Sequence, residues 1–170
     1  MSKTVPQTGL RGPGTKAPEV ELASLEGKTI RLSSLYRERP TVVVFIRHDC
    51  PVSQYTLPFV ERLHQGYASG AHFLGISQDE AEPTRALWER LGLQFPALLD
   101  RPHLNATRGY GVTVVPSVFL IGTDGIIRLA FDSFRRAELV RLSELLAEQL
   151  NRPPAPVFQP GEKVPEIRPG

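Results

Sequence analysis

The chain has 170 residues, 41% of them hydrophobic, with 20 Lys and Arg against 18 Asp and Glu. That is enough for one globular domain with a real core. A net charge of +2, with no Lys/Arg block and no aromatics among basic residues, argues against nucleic-acid binding, and a single cysteine excludes an intramolecular disulfide and a Cys-rich zinc site.

Residues 1–15 are rich in Gly, Pro, Thr and Lys and are expected to form a flexible arm before a domain over 16–151. Glu19 to Leu22 and Thr29 to Leu32 flank Ser24-Leu25-Glu26-Gly27-Lys28, the pattern of an N-terminal β-hairpin. Thr41 to Ile46 is a continuous run rich in β-branched residues, as in a central strand buried on both faces. From Pro51 to about Tyr67, Val52, Tyr55, Phe59, Val60, Leu63 and Tyr67 recur near helical spacing, with Pro58 expected to kink the helix. His72 to Ser77 reads as a second short strand. Glu82-Pro83 opens a helix through Leu87, Trp88 and Leu91 that Gly92 closes. Phe95 to Leu99 is extended, and Leu104 to Tyr110 is a helix of one to two turns. Val118–Ile121 and Ile126–Phe131 are strands joined by the turn Gly122-Thr123-Asp124-Gly125. A last amphipathic helix spans about Arg136 to Leu150. The Pro/Gly-rich tail, 152–170, is expected to be a surface strap or a disordered end. Crossovers through helices, followed by an antiparallel hairpin and a covering helix, define an α/β class with a mixed central sheet flanked by helices.

The chemistry concentrates at Cys50. The strand over 41–46 breaks at Arg47-His48-Asp49, and Cys50-Pro51-Val52-Ser53 follows. Pro51 suits the first helical position, so the thiol falls at a helix N-terminus, where unpaired N–H groups and the helix dipole favour thiolate. Asp49 opposes that by charge; Arg47 and His48 assist it if they turn toward the sulfur. His48 is also a candidate proton donor to a leaving thiolate. Ser53, one turn on, is a candidate hydrogen-bond donor to Cys50. The four histidines, at 48, 64, 72 and 103, lack metal-ligand spacing, so no metal is expected. No apolar h-region or 18-residue apolar run is present, so a cytoplasmic protein with no membrane partner is expected.

Three blocks carry a resemblance: Ala17-Pro18-Glu19-Val20-Glu21-Leu22, the strand before Asp49-Cys50-Pro51, and Val114-Val115-Pro116-Ser117-Val118-Phe119-Leu120-Ile121 followed by Asp124-Gly125. Together, over roughly residues 16–150, they resemble the thioredoxin-like redoxins, the group holding thioredoxins, membrane-tethered thiol reductases and the AhpC/TSA peroxiredoxins. The resemblance implies a thioredoxin-like fold and makes Pro116 the cis proline that faces the active-site turn. It places Cys50 on the nucleophilic position and Ser53 on that of the resolving thiol; the thioredoxin buried carboxylate falls at Val44 and the tryptophan at Asp49. Peroxiredoxins carry a Thr three residues before their cysteine, where this chain has Arg47.

Three functions follow. The first is a thiol–disulfide oxidoreductase with one nucleophilic cysteine, acting on a protein or small-molecule disulfide and needing no cofactor beyond an external thiol such as glutathione or thioredoxin. The second is a 1-Cys thiol peroxidase, with Arg47 orienting the peroxide. The third is a redox-inactive domain that binds a peptide strand beside Pro116.

Overall fold

The computed structural model describes residues 9–170. Its first elements are a hairpin of β1 (Glu21–Ala23) and β2 (Thr29–Arg31), the short helix α1 (Leu32–Tyr36), and then β3 (Thr41–Ile46) and α2 (Pro51–Tyr67). Next come β4 (His72–Ser77), α3 (Ala81–Leu91), β5 (Ala97–Leu99) and α4 (Asn105–Gly109). The chain ends with β6 (Ser117–Ile121), β7 (Ile127–Asp132), β8 (Phe134–Arg135), α5 (Arg136–Leu150) and β9 (Ile167–Arg168).

Five strands form the main sheet in the order β5-β4-β3-β6-β7. β3 is the middle strand, parallel to β4 and antiparallel to β6, and all six of its residues are buried. Its alternate side chains serve two cores. Val42, Val44 and Ile46 pack toward α2, α3 and α5, with Leu57, Leu63, Trp88, Leu142 and Leu146. Val43 and Phe45 join Leu74, Phe119 and Ile121 beneath Leu32 and Tyr36 of α1 and Tyr110, which follows α4. This is an α/β thioredoxin-like fold with an N-terminal hairpin: a mixed sheet covered on both faces, with the C-terminal end of its central strand feeding directly into α2.

The helix over 51–67 is continuous through Pro58. Gly92 closes α3 in the left-handed region at φ 65°, and Gly125 completes the 122–125 turn at φ 79°. The sequence pattern missed α1, which is too short for helical periodicity to register, and the two-residue strands β8 and β9. Residues 11–15, expected to be flexible, are tied down: Arg11 N–H donates to Tyr110 O at 3.0 Å, Gly14 N–H to Ile127 O at 2.8 Å, and Ile127 N–H to Thr15 O at 2.9 Å. Main-chain pairing holds them where composition suggested no attachment. Residues 1–8 of the expected arm lie outside the described residues.

Asp100, 1% exposed, ends β5 and organises α4, which has no capping side chain of its own. Its carboxylate accepts the N–H of Ala106 (3.1 Å) and the N–H and hydroxyl of Thr107 (2.8 and 2.7 Å). Asp100→Ala strands these buried donors, and an unpaired buried donor costs about 1–3 kcal/mol. The expected result is a loss at or above the top of that range, measured by urea unfolding, with Asp100→Asn recovering part of it.

Segment 152–170 packs against the domain. Asn151 turns the chain out of α5 at φ 52°. Ala155 N–H donates to the buried Tyr67 hydroxyl (2.8 Å), and the Ser143 hydroxyl donates to Ala155 O (2.5 Å). Val157 is buried, and the Phe158 ring packs tilted against that of Phe59, with centroids 5.1 Å apart. Glu162 accepts a two-pronged hydrogen bond from Arg62 at 2.6 and 2.7 Å. That donation from Arg62 holds the Glu162 carboxyl below the usual Glu range. A lowered folded value means the contribution is complete above the unfolded value and is lost as pH falls through the folded one. Below about pH 4 the segment is therefore expected to loosen before the domain does, seen as acid-dependent protease cleavage within 156–166. Glu162→Gln should produce the same cleavage at neutral pH.

Candidate active site

Cys50 is the N-cap of α2, with extended backbone (φ −87°, ψ 115°) and Pro51 in the first turn. A central strand that must stay buried, followed by a polar turn and a proline that gives up an unpaired N–H, fixes the thiol at the sheet's C-terminal edge. The Ser53 N–H donates to Cys50 Sγ at 3.4 Å, and the thiol donates to Val115 O at 3.5 Å. The Val115–Pro116 bond is cis, Pro116 is buried, and the Val115 carbonyl, just before β6, faces the sulfur. The Arg101–Pro102 bond, which no sequence feature singled out, is also cis. Cys50 is half-buried in a cleft of about 270 Å³ lined by Arg47, Asp49, Pro51, Thr113, Val114, Val115 and Gly170.

The remaining candidate residues divide. Ser53 is fully buried, and its amide, rather than its hydroxyl, reaches the sulfur; the hydroxyl accepts the Arg47 N–H at 3.5 Å. Arg47 lines the cleft but donates to Asp49 Oδ1 at 3.3 Å, and that hydrogen bond holds the exposed Asp49 carboxyl below the usual range. The charge beside the sulfur is thus a pair rather than a lone carboxylate. His48 turns away, into a neighbouring cleft with Gln54, Pro83, Leu87 and Arg90. Its Nδ1 stands 2.9 Å from Asp79 Oδ1, a charge-pairing distance without hydrogen-bond alignment.

Asp79 is the residue that sequence reasoning missed. It accepts the His48 N–H at 2.6 Å and so braces the turn that presents Cys50. The available signal was its place just beyond β4, the parallel neighbour of β3, since adjacent parallel strands bring their following loops together. His48, Asp49 and Asp79 place ligand atoms within 4.8 Å of one another. Asp79 is bonded to the His48 backbone and Asp49 to Arg47, so the group reads as a braced turn.

A cysteine at the start of the helix after the central strand, facing the residue before a cis proline, on this mixed five-stranded sheet, defines a thioredoxin-like redoxin. The profile of the AhpC/TSA family matches residues 13–130, and the chain belongs to that family. No curated protein matches the chain. Solved structures share its fold. A candidate protein disulfide isomerase from Bacteroides thetaiotaomicron superposes with TM-score 0.77 at 24% identity, over 85% of this chain and 94% of that one. A candidate thiol:disulfide interchange protein DsbE from Chlorobium tepidum gives 0.73 at 23%, over 83% and 99%. Peroxidoxin BcpB from Mycobacterium tuberculosis gives 0.68 at 21%, over 82% and 96%. Among the described residues, no helix is long and apolar enough to cross a membrane.

Proposed function

We propose that this protein is a thiol–disulfide oxidoreductase with one nucleophilic cysteine, Cys50, recycled by an external thiol. The observation that carries this reading is the seat of the sulfur: a helix N-cap in an open cleft, receiving the Ser53 N–H. An N–H aimed at the sulfur stabilises charge there, and the positive end of a 17-residue helix adds to it.

The Cys50 thiolate attacks one sulfur of a substrate disulfide. The new S–S bond forms as the old one breaks, and the leaving sulfur departs with the electron pair and takes a proton from water. No second cysteine exists to attack the mixed disulfide. One external thiol therefore displaces the bound half of the substrate, and a second releases Cys50 and leaves as a disulfide. Two external thiols are oxidised for each disulfide reduced. Such a cycle needs a pool of reduced thiol, which favours the cytoplasm as its place.

Peroxide reduction shares the nucleophile and would leave Cys50 as sulfenic acid. The site supports it less, because Arg47 is engaged by Asp49. The test is incubation with oxidised glutathione, then with reduced glutathione, followed by intact mass. One glutathione adduct that forms on Cys50 and disappears with excess thiol supports the exchange cycle. Absence of the adduct, with sulfenic acid trapped after peroxide, supports the peroxidase. Absence of both leaves a redox-inactive binding domain.

A further inference from the structure

The backbone beside Cys50 is partly occupied by the chain itself. Beyond the Glu162–Arg62 anchor, the segment crosses to the mouth of the cleft. There β9 pairs antiparallel with β8, Phe134 opposite Arg168 and Arg135 opposite Ile167. Arg136 N–H donates to Glu166 O at 2.9 Å, and the Arg168 guanidinium lies 4.4 Å above the Tyr55 ring. Gly170 N–H donates to the Ser133 hydroxyl at 3.0 Å. Gly170 itself sits so close to the Val115 carbonyl that a Cβ there would collide with it. Val115 O is the atom that the Cys50 thiol faces.

An extended polypeptide docks on such a site by adding a strand to exposed main chain. Here the β8 edge is paired and the approach to Val115 is closed by the protein's own residues 166–170. The cleft that remains at Cys50 is about 270 Å³. Its rim carries the Arg47–Asp49 ion pair, in which each charge already engages the other.

We propose that residues 166–170 set substrate specificity: they exclude extended polypeptide disulfides and leave Cys50 open to low-molecular-weight disulfides. The proposal rests on Cys50 being the nucleophile argued above. Its physical basis is negative selection, since the strap competes with a peptide for the same edge while the Cys50 cleft, whose rim it forms at Gly170, stays open to a smaller disulfide.

The test compares two rates in each protein: reaction of Cys50 with oxidised glutathione, and with a ten-residue unstructured peptide carrying a mixed disulfide at its centre. One variant lacks residues 166–170; a second, Arg168→Ala with Gly170→Ala, keeps the length but loosens the strap end. The expected result is a peptide-to-glutathione rate ratio that rises about tenfold or more in both variants, as a competing strand is removed. An unchanged ratio in both variants overturns the proposal while leaving Cys50 as nucleophile. Failure of the intact protein to react with either disulfide overturns the reading of Cys50 itself.

Discussion

Cys50→Ser is expected to abolish adduct formation with oxidised glutathione, and any turnover with an external thiol, down to the uncatalysed background. The substitution exchanges a sulfur nucleophile for a hydroxyl with no adjacent base, because His48 points into the neighbouring cleft and pairs with Asp79. The same change should leave the fold almost untouched. Serine is a preferred helix N-cap, and its oxygen can accept the Ser53 N–H that the sulfur accepts in the native protein. Stability within about 0.5 kcal/mol of the parent, alongside complete loss of exchange, assigns the defect to chemistry. Intact mass and thermal unfolding on one preparation check both halves.

The second large effect falls on the face of the sheet away from α2. Phe45 is fully buried in β3, at 5.4 Å from the ring of Tyr110 and 5.7 Å from that of Phe119, while Tyr110 and Phe119 meet at 5.0 Å. Burial pushes the Tyr110 hydroxyl far above the usual tyrosine range, and it stays a donor, at 2.7 Å from Pro18 O. The three rings therefore tie the central strand to α4 and to the chain leading into the N-terminal hairpin. Phe45→Ala removes the middle ring, and such truncations cost about 3–5 kcal/mol. Set against the roughly 5–15 kcal/mol that holds a typical domain together, this should lower the urea midpoint by a large fraction. A tilted contact with Tyr110 and an edge-to-face contact with Phe119 are lost, and neither ring is flexible enough to fill the space. The effect on Cys50 should be indirect: below the new midpoint the thiol should react as in the parent.

The strands and long helices were readable because their signals are local. Thr41–Ile46 is a run rich in β-branched residues with no polar interruption, and Pro51–Tyr67 and Arg136–Leu150 each show an apolar stripe over at least four turns. The position of Cys50 followed from the same logic, since a buried strand and a helix-opening proline leave little freedom between them. What stayed hidden depends on long-range contact. Asp79 reaches the His48 backbone only because β3 and β4 are parallel neighbours, and no spacing in the sequence states that adjacency. Segment 152–170 reads as Pro/Gly-rich, yet its Ala155, Phe158 and Glu162 find Tyr67, Phe59 and Arg62 on α2, far away along the chain. Composition predicts how a segment behaves alone; these partners determine where it lies.

Activation of Cys50 by the fold is read from the rate at which the thiol attacks a small aromatic disulfide reagent in the native protein and in the same protein unfolded in urea. Both rates are taken at one pH, and Cys50 is the sole reacting group in either state. A helix N-cap with an N–H on the sulfur predicts that the native thiol reacts at least about tenfold faster than the unfolded one, despite its partial burial. A native rate equal to or below the unfolded rate would mean that the cleft shields the thiol without activating it, and Cys50 would not be the nucleophile argued here.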